Sequence, residues 1–189
     1  MKKETYRFLP ALVAVVVFLF AGAGRAGAQQ LGIKTNALMW ACLTPNLGCE
    51  VVIHEHSSLD ISAFGHYKPY GLDSKVVAIQ PEYRYWFNGR PMVREFVGIS
   101  AMVADYDMTI RRYVYDGMAA SLGVTGGYAF ILGRRWRLEL CGGVSLLFFN
   151  QKQHYETDDY FADSSTAANS WGYKLFPAKL GVSFTYIIR

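Results

Sequence analysis

From residue 31 onward, apolar and polar residues alternate with a period of two, and few stretches carry the three-to-four spacing of an amphipathic helix. The clearest run is Val76 to Phe87. One face carries Val77, Ile79, Pro81, Tyr83, Tyr85 and Phe87, and the other Ala78, Gln80, Glu82, Arg84 and Trp86. The run from Trp136 repeats the pattern. Trp136, Leu138, Leu140, Val144, Leu146 and Phe148 alternate with Arg137, Glu139, Cys141, Gly143 and Ser145. Successive side chains of a strand point to opposite faces, so these runs predict strands with one apolar and one polar side.

Turn signals divide the chain into eight such segments: 31–42, 47–54, 58–68, 75–87, 93–106, 117–131, 136–149 and 172–188. Three connections are short: Glu55 to Ser57, Asn88 to Met92 and Leu132 to Arg135. The alternate ones, around Pro69 to Ser74, Asp107 to Asp116 and Asn150 to Trp171, are longer and lengthen along the chain. Short turns at one end and long loops at the other fit an eight-stranded antiparallel up-and-down transmembrane β-barrel, all-β in class. The first loop, Leu43 to Asn46, is too short for that pattern.

The same alternation would suit a secreted soluble barrel that binds an apolar ligand inside, so the direction of the apolar face decides between the two. Bulk favours the membrane form. The apolar faces hold large residues, whereas the polar faces are rich in small ones, such as Gly123, Thr125, Gly127 and Ala129, or Gly181, Ser183 and Thr185. The interior of an eight-stranded barrel has little room. On that parity Lys34, Arg84, Arg137 and Lys179 share the interior with Glu50, Asp60, Glu82 and Glu139, four of each sign. Buried charges persist only when paired and hydrogen-bonded, so a cross-linked polar core without an open pore is expected.

Residues 1–28 read as a secretory signal peptide. Lys2, Lys3 and Arg7 precede an apolar run from Leu9 to Ala23, and Ala26-Gly27-Ala28 is a small-x-small cleavage site. That leaves residues 29–189 as one outer-membrane barrel domain, with no cysteine at the cleavage site to carry a lipid. The leader takes four of the 19 basic and one of the 15 acidic side chains with it, and the remainder is close to neutral. No basic stripe remains, and nucleic acid is not an expected partner. The 15% aromatic content and 18% charge also exclude a disordered chain.

Aromatics gather toward both ends of the segments, as interface girdles require: Tyr83, Tyr85, Phe87, Trp136 and Tyr186 at the short-turn end, Tyr67, Tyr70, Tyr106, Phe148 and Tyr155 at the other. Lys179, Gly181, Phe184 and Tyr186 follow the order polar, x, Gly, x, x, aromatic, x, aromatic. This resembles the last-strand signal that outer-membrane barrels present to their assembly machinery, although the chain runs on to Ile187-Ile188-Arg189. The expected partners are therefore the lipid bilayer of the outer membrane and the barrel-assembly machinery.

Candidate chemistry is sparse. His54, His56, His66 and His154 have no zinc-ligand spacing, and no cofactor, metal or catalytic residue is expected. Asp60, Ser62 and His66 share one face of the third segment, the minimum for a lipid-modifying barrel enzyme. Residues two and four apart on one strand are too extended for a relay, and a polar-core role is the expectation. Cys42 and Cys49 flank the first turn on opposite faces. A disulfide there needs a bulge or a register shift, so free thiols are expected. Partner specificity would sit in the long loops, where Arg111, Arg112, Tyr113 and Tyr115 on one and Glu156, Asp158, Asp159 and Asp163 on the next carry opposite charge, which suits mutual contact, partner binding or a solvated surface alike.

The stretches Lys34-Thr35-Asn36, Leu43-Thr44-Pro45-Asn46 with Gly48 and Glu50, Gln80-Pro81-Glu82-Tyr83-Arg84-Tyr85-Trp86, and Leu132-Gly133-Arg134-Arg135-Trp136 carry a family resemblance. Together they resemble small outer-membrane proteins of anaerobic Gram-negative bacteria catalogued as a domain of unknown function. The resemblance implies the barrel and its location but no activity. Some members occur beside fimbria-related genes, so a structural or surface-interaction role with a surface or fimbrial protein is implied.

Overall fold

The computed structural model describes residues 30–110, 113–155 and 168–188. The predicted signal peptide (1–28), Arg111 and Arg112, and the acidic stretch with Glu156, Asp158, Asp159 and Asp163 lie outside the described residues. Eight strands follow in order: β1 (Leu31–Asn36), β2 (Asn46–His54), β3 (Ser57–Tyr67), β4 (Ser74–Trp86), β5 (Arg94–Ile110), β6 (Tyr113–Ile131), β7 (Trp136–Tyr155) and β8 (Ala168–Ile187). Each pairs antiparallel with the next, and β8 returns to β1 to close the barrel. The eight-stranded up-and-down reading of the sequence is borne out.

The boundaries differ from expectation in two regions, for physical reasons. The first segment is not one strand to residue 42. β1 ends at Asn36, and a five-residue helix, α1 (Ala37–Ala41), follows. Ala37-Leu38-Met39-Trp40-Ala41 is apolar without alternation and built of helix formers. Asn36 supplies the cap by accepting the Leu38 N–H at 3.0 Å. The loop that looked too short is therefore longer than expected, with Leu43 in a left-handed conformation (φ 51°) where it turns toward β2.

The second difference concerns the other loops. β5 and β6 run to Ile110 and from Tyr113, and β7 and β8 to Tyr155 and from Ala168. Much of what read as long loop, including Tyr113 and Tyr115, continues the ladder, with Tyr113 opposite both Ile110 and Tyr155. Asn150-Gln151-Lys152-Gln153-His154 is polar at every position, so no alternation marks that extension as strand. The barrel is thus lopsided: β1 has 6 residues and β8 has 20.

The polar face points inward. Along β4, Ala78, Gln80, Glu82, Arg84 and Trp86 are buried, while Val77, Pro81, Tyr83, Tyr85 and Phe87 are exposed. The exterior carries large apolar side chains such as Ile99, Leu122, Val124 and Leu146. At the short-turn end the lumen is plugged by Trp86, Phe96, Ala129 and Cys141, with Met92 of the β4–β5 turn buried as well. The Trp86 and Phe96 rings lie 4.8 Å apart. Outside that end, Trp136 packs 5.0 Å from Tyr186, and Tyr85 meets Phe87 edge-on at 5.7 Å.

Candidate functional site

Above the apolar plug, inward-facing residues of β1, β2, β3, β4, β7 and β8 bring seven ionised groups to one place. Arg84 is its centre. Nη1 lies 3.0 Å from Glu50 and 2.8 Å from Glu139, and Nη2 lies 2.9 Å from Asp60 and 3.0 Å from Glu82. Its guanidinium also stacks over the Phe96 ring, 4.5 Å from the centroid, and its Nε alone has no partner. Lys34 Nζ contacts Glu50 (2.5 Å), Asp60 (2.9 Å) and Glu139 (3.0 Å). Lys179 Nζ contacts Glu82 (2.7 Å) and, more distantly, Asp60 (3.5 Å). All seven are buried, none by more than a few per cent short of complete except Lys179 at 9%.

Seven of the eight expected interior residues are thus brought together. Arg137 is the correction. By register it is on the inner side of β7, but it sits at the turn end, half-buried, and its guanidinium donates to the Gly133 and Trp136 carbonyls. Parity sets the side of a strand but not the height, so the expected balance of four against four becomes three cations against four carboxylates.

Hydroxyl donors take up the surplus acceptor capacity. Ser58 donates to Glu50 at 2.6 Å, Ser62 to Asp60 at 2.8 Å and Thr125 to Glu82 at 2.5 Å, while Trp86 Nε1 donates to Ser58 at 2.8 Å. Sequence placed Ser62, Thr125 and Trp86 on the polar faces without their partners, and missed Ser58. The available signal was a small hydroxyl residue on the inner parity of each neighbouring strand. Glycine makes the room: a Cβ on Gly98 would lie 2.7 Å from Thr125 Oγ1 and 2.8 Å from Glu82 Oε1.

Over the cluster lies a cavity of about 20 Å³ lined by residues including Lys34, Asn36, Met39, Gln80 and Lys179. That volume suits about one water molecule. Gln80 reaches across the lumen to donate to the Ala178 carbonyl at 2.7 Å. Ala178 is the extra residue of a bulge, because Gly143 pairs with Lys179 but Val144 with Pro177.

Elsewhere the expected residues fall as follows. Gly181 is buried beside Asn36, and Phe184 and Tyr186 are on the outer face with Leu180 and Val182. Tyr186 accepts from Arg135 at 3.1 Å. Asp60 and Ser62 bond to each other, but His66 is engaged by Thr44 (3.3 Å) and Ser74 (3.0 Å) and forms no Ser–His pair with Ser62. Cys42, Cys49 and Cys141 are free thiols. Among the described residues no group of three or more His, Cys, Asp or Glu side chains is arranged to hold a metal ion. At the loop rim Lys68 pairs with Asp73 at 2.5 Å. That hydrogen bond and the nearby carboxylate hold the exposed Lys68 amine above its usual range.

The arrangement ties six strands together through ion pairs, supplemented by hydroxyl donors, and the cavity beside it is about the size of one water molecule. The sequence profile of the family described as "Protein of unknown function (DUF3575)" matches residues 13–188, nearly the whole chain. The chain belongs to the DUF3575 family. This bears out the expected membership of a family catalogued as a domain of unknown function. No curated protein and no solved structure matches the chain.

Proposed function

We propose that this DUF3575 protein is a small outer-membrane β-barrel whose interior is structural and whose loop end engages other molecules at the cell surface. The observation that carries the reading is the barrel's polarity. Arg84 and Asp60 are fully buried inside, while Val77, Ile99, Leu122, Val124, Leu140 and Leu146 stand 44–59% exposed outside. In water, that exterior would present a contiguous apolar belt far larger than a soluble monomer tolerates. In a bilayer the belt is solvated by lipid, the strand ladders satisfy most of the backbone within it, Asn36 caps β8 just past the end of β1, and the aromatic pairs at the turn end sit at the interface.

On this reading the lipid bilayer is the first partner and the barrel-assembly machinery the second. The machinery reads β8 through Lys179, Gly181, Phe184 and Tyr186 after export directed by residues 1–28. The cluster links β1 to β3, β4, β7 and β8 and passes no solute. The work of the protein is structural and interactive rather than catalytic. A surface or fimbrial protein is the partner class that suits the loop end, where β5 to β8 run well past β1 and β2. The test is gel mobility of the outer-membrane fraction with and without boiling. A folded band that shifts on heating is the expected result, and an unshifted protein in the soluble fraction would overturn the reading.

A further inference from the structure

Closure of the barrel is incomplete at the loop end. β8 pairs with β1 only from Ile187 to Ser183, opposite Gly32 to Asn36, whereas its other side pairs with β7 as far as Ala168. Among the described residues, β8 beyond Ser183 has no partner strand on the β1 side. Bare strand edges do not face lipid, because unpaired peptide groups have no water there.

The lower part of this edge is capped. The Asn36 side chain takes the Val182 N–H at 3.3 Å and gives a hydrogen bond to the Leu180 carbonyl at 3.2 Å. These two groups also show which residues point to the edge. The bulge at Ala178 then shifts the alternation by one, so Pro177, Leu175, Tyr173 and Trp171 follow in the edge-facing series. Pro177 has no N–H to leave unpaired.

Above Pro177, nothing comparable covers the edge among the described residues. Tyr173 lies opposite Phe148, twelve residues along β7 from the interface residue Trp136. At about 3.3 Å per residue and a tilt of 35–45°, that is about 30 Å of height, against an apolar band of about 25 Å. The bare stretch therefore begins where the bilayer ends. Its outward side chains Trp171, Tyr173 and Leu175 are 70–74% exposed. On the lumen side, Lys174 stands exposed with its Nζ 5.4 Å from the Phe149 ring centroid and, among the described residues, with no carboxylate partner.

We propose that this edge of β8, from Trp171 to Phe176, is a docking site for an extended segment of a different surface polypeptide, which adds as a ninth strand. The inference rests on the outer-membrane reading above. The segment carries apolar residues at alternate positions beside Trp171, Tyr173 and Leu175, and acidic residues on its other face toward Lys174. A second copy fits less well: two copies inserted in the same sense run their β8 strands the same way, so their edges could pair only in parallel, the weaker arrangement per residue, and would set Lys174 against Lys174.

The test uses the full chain folded in detergent and a fluorescein-labelled nonapeptide of alternating valine and glutamate, read by anisotropy. Saturable binding is expected, weakened at least ten-fold by Leu175→Pro, which removes an edge N–H while leaving the β7 ladder alone. Lys174→Glu keeps every backbone group and should transfer preference to the valine–lysine nonapeptide. Absence of saturable binding, or equal affinity in wild type and both variants, overturns the docking site. The boiling shift is read on the same preparations. A heat-shifted barrel without peptide binding sinks the edge inference alone, whereas a soluble, unshifted protein sinks the membrane reading beneath it.

Discussion

Arg84→Ala is the most informative single change. Arg84 is fully buried and meets four carboxylates at 2.8–3.0 Å, and two other cations, Lys34 and Lys179, share the same anions. Without the guanidinium, four carboxylates face two amines, so the local imbalance grows from one negative charge to two. Removing one member of a buried ion pair costs about 3–5 kcal/mol, chiefly because the stranded partner stays desolvated. Loss of the stack on Phe96 adds about 0.5–2 kcal/mol. The sum exceeds about 3 kcal/mol, a shift of more than two decades in the unfolding equilibrium.

The assay is urea unfolding of the refolded protein, followed by tryptophan fluorescence and by the fraction of heat-shiftable band. Trp86, packed on Phe96 in the plug, is well placed as a reporter. Arg84→Met combined with Glu139→Gln should recover a substantial part of the loss, since removing both sides of a pair leaves less uncompensated charge. A loss below about 1 kcal/mol for Arg84→Ala would refute the reasoning, because it would mean that water already solvates the cluster.

Three further outcomes follow from the geometry. Gly98→Ala places a methyl against Thr125 and the Glu82 carboxylate and should cost about 1–3 kcal/mol by urea titration, with little effect on the gel shift. Asn36→Ala removes both the α1 cap and the bridge to β8, at about 0.5–2 kcal/mol for the cap alone, and the Val182 amide should exchange faster with deuterium. Phe184→Ala, at a half-exposed outer site opposite Leu138, should lower the amount of protein reaching the outer membrane in cells by more than it lowers the stability of refolded protein. Equal losses in both measurements would reduce Phe184 to a packing residue.

Which of these residues could be found without a structure depended on the range of the interaction. Glu82 and Arg84 announced themselves by strict alternation within β4, and Glu139 by the same rule in β7. Ser58, and the partner of Thr125, did not, because a hydroxyl on a polar face looks the same whether it meets solvent or donates to a buried carboxylate. Ala37–Ala41 was misread because an apolar run without alternation fits a buried strand as well as a short helix, and Asn36, which settles the matter, acts through its side chain on the next turn and on β8.

By itself, the sequence determined the number of strands, their antiparallel order and the two faces of each, because a period of two is local and a strand's faces are set by its own backbone. Bulk even indicated which face turned inward. Height along the barrel was left undetermined, since it depends on the register that each strand adopts against its neighbours. Register is what separated Arg137 from the cluster, brought Lys34 of β1 within 3.0 Å of Glu139 on β7, and ran β8 past the end of β1. These are sums over all eight ladders, and only the closed tertiary structure carries them.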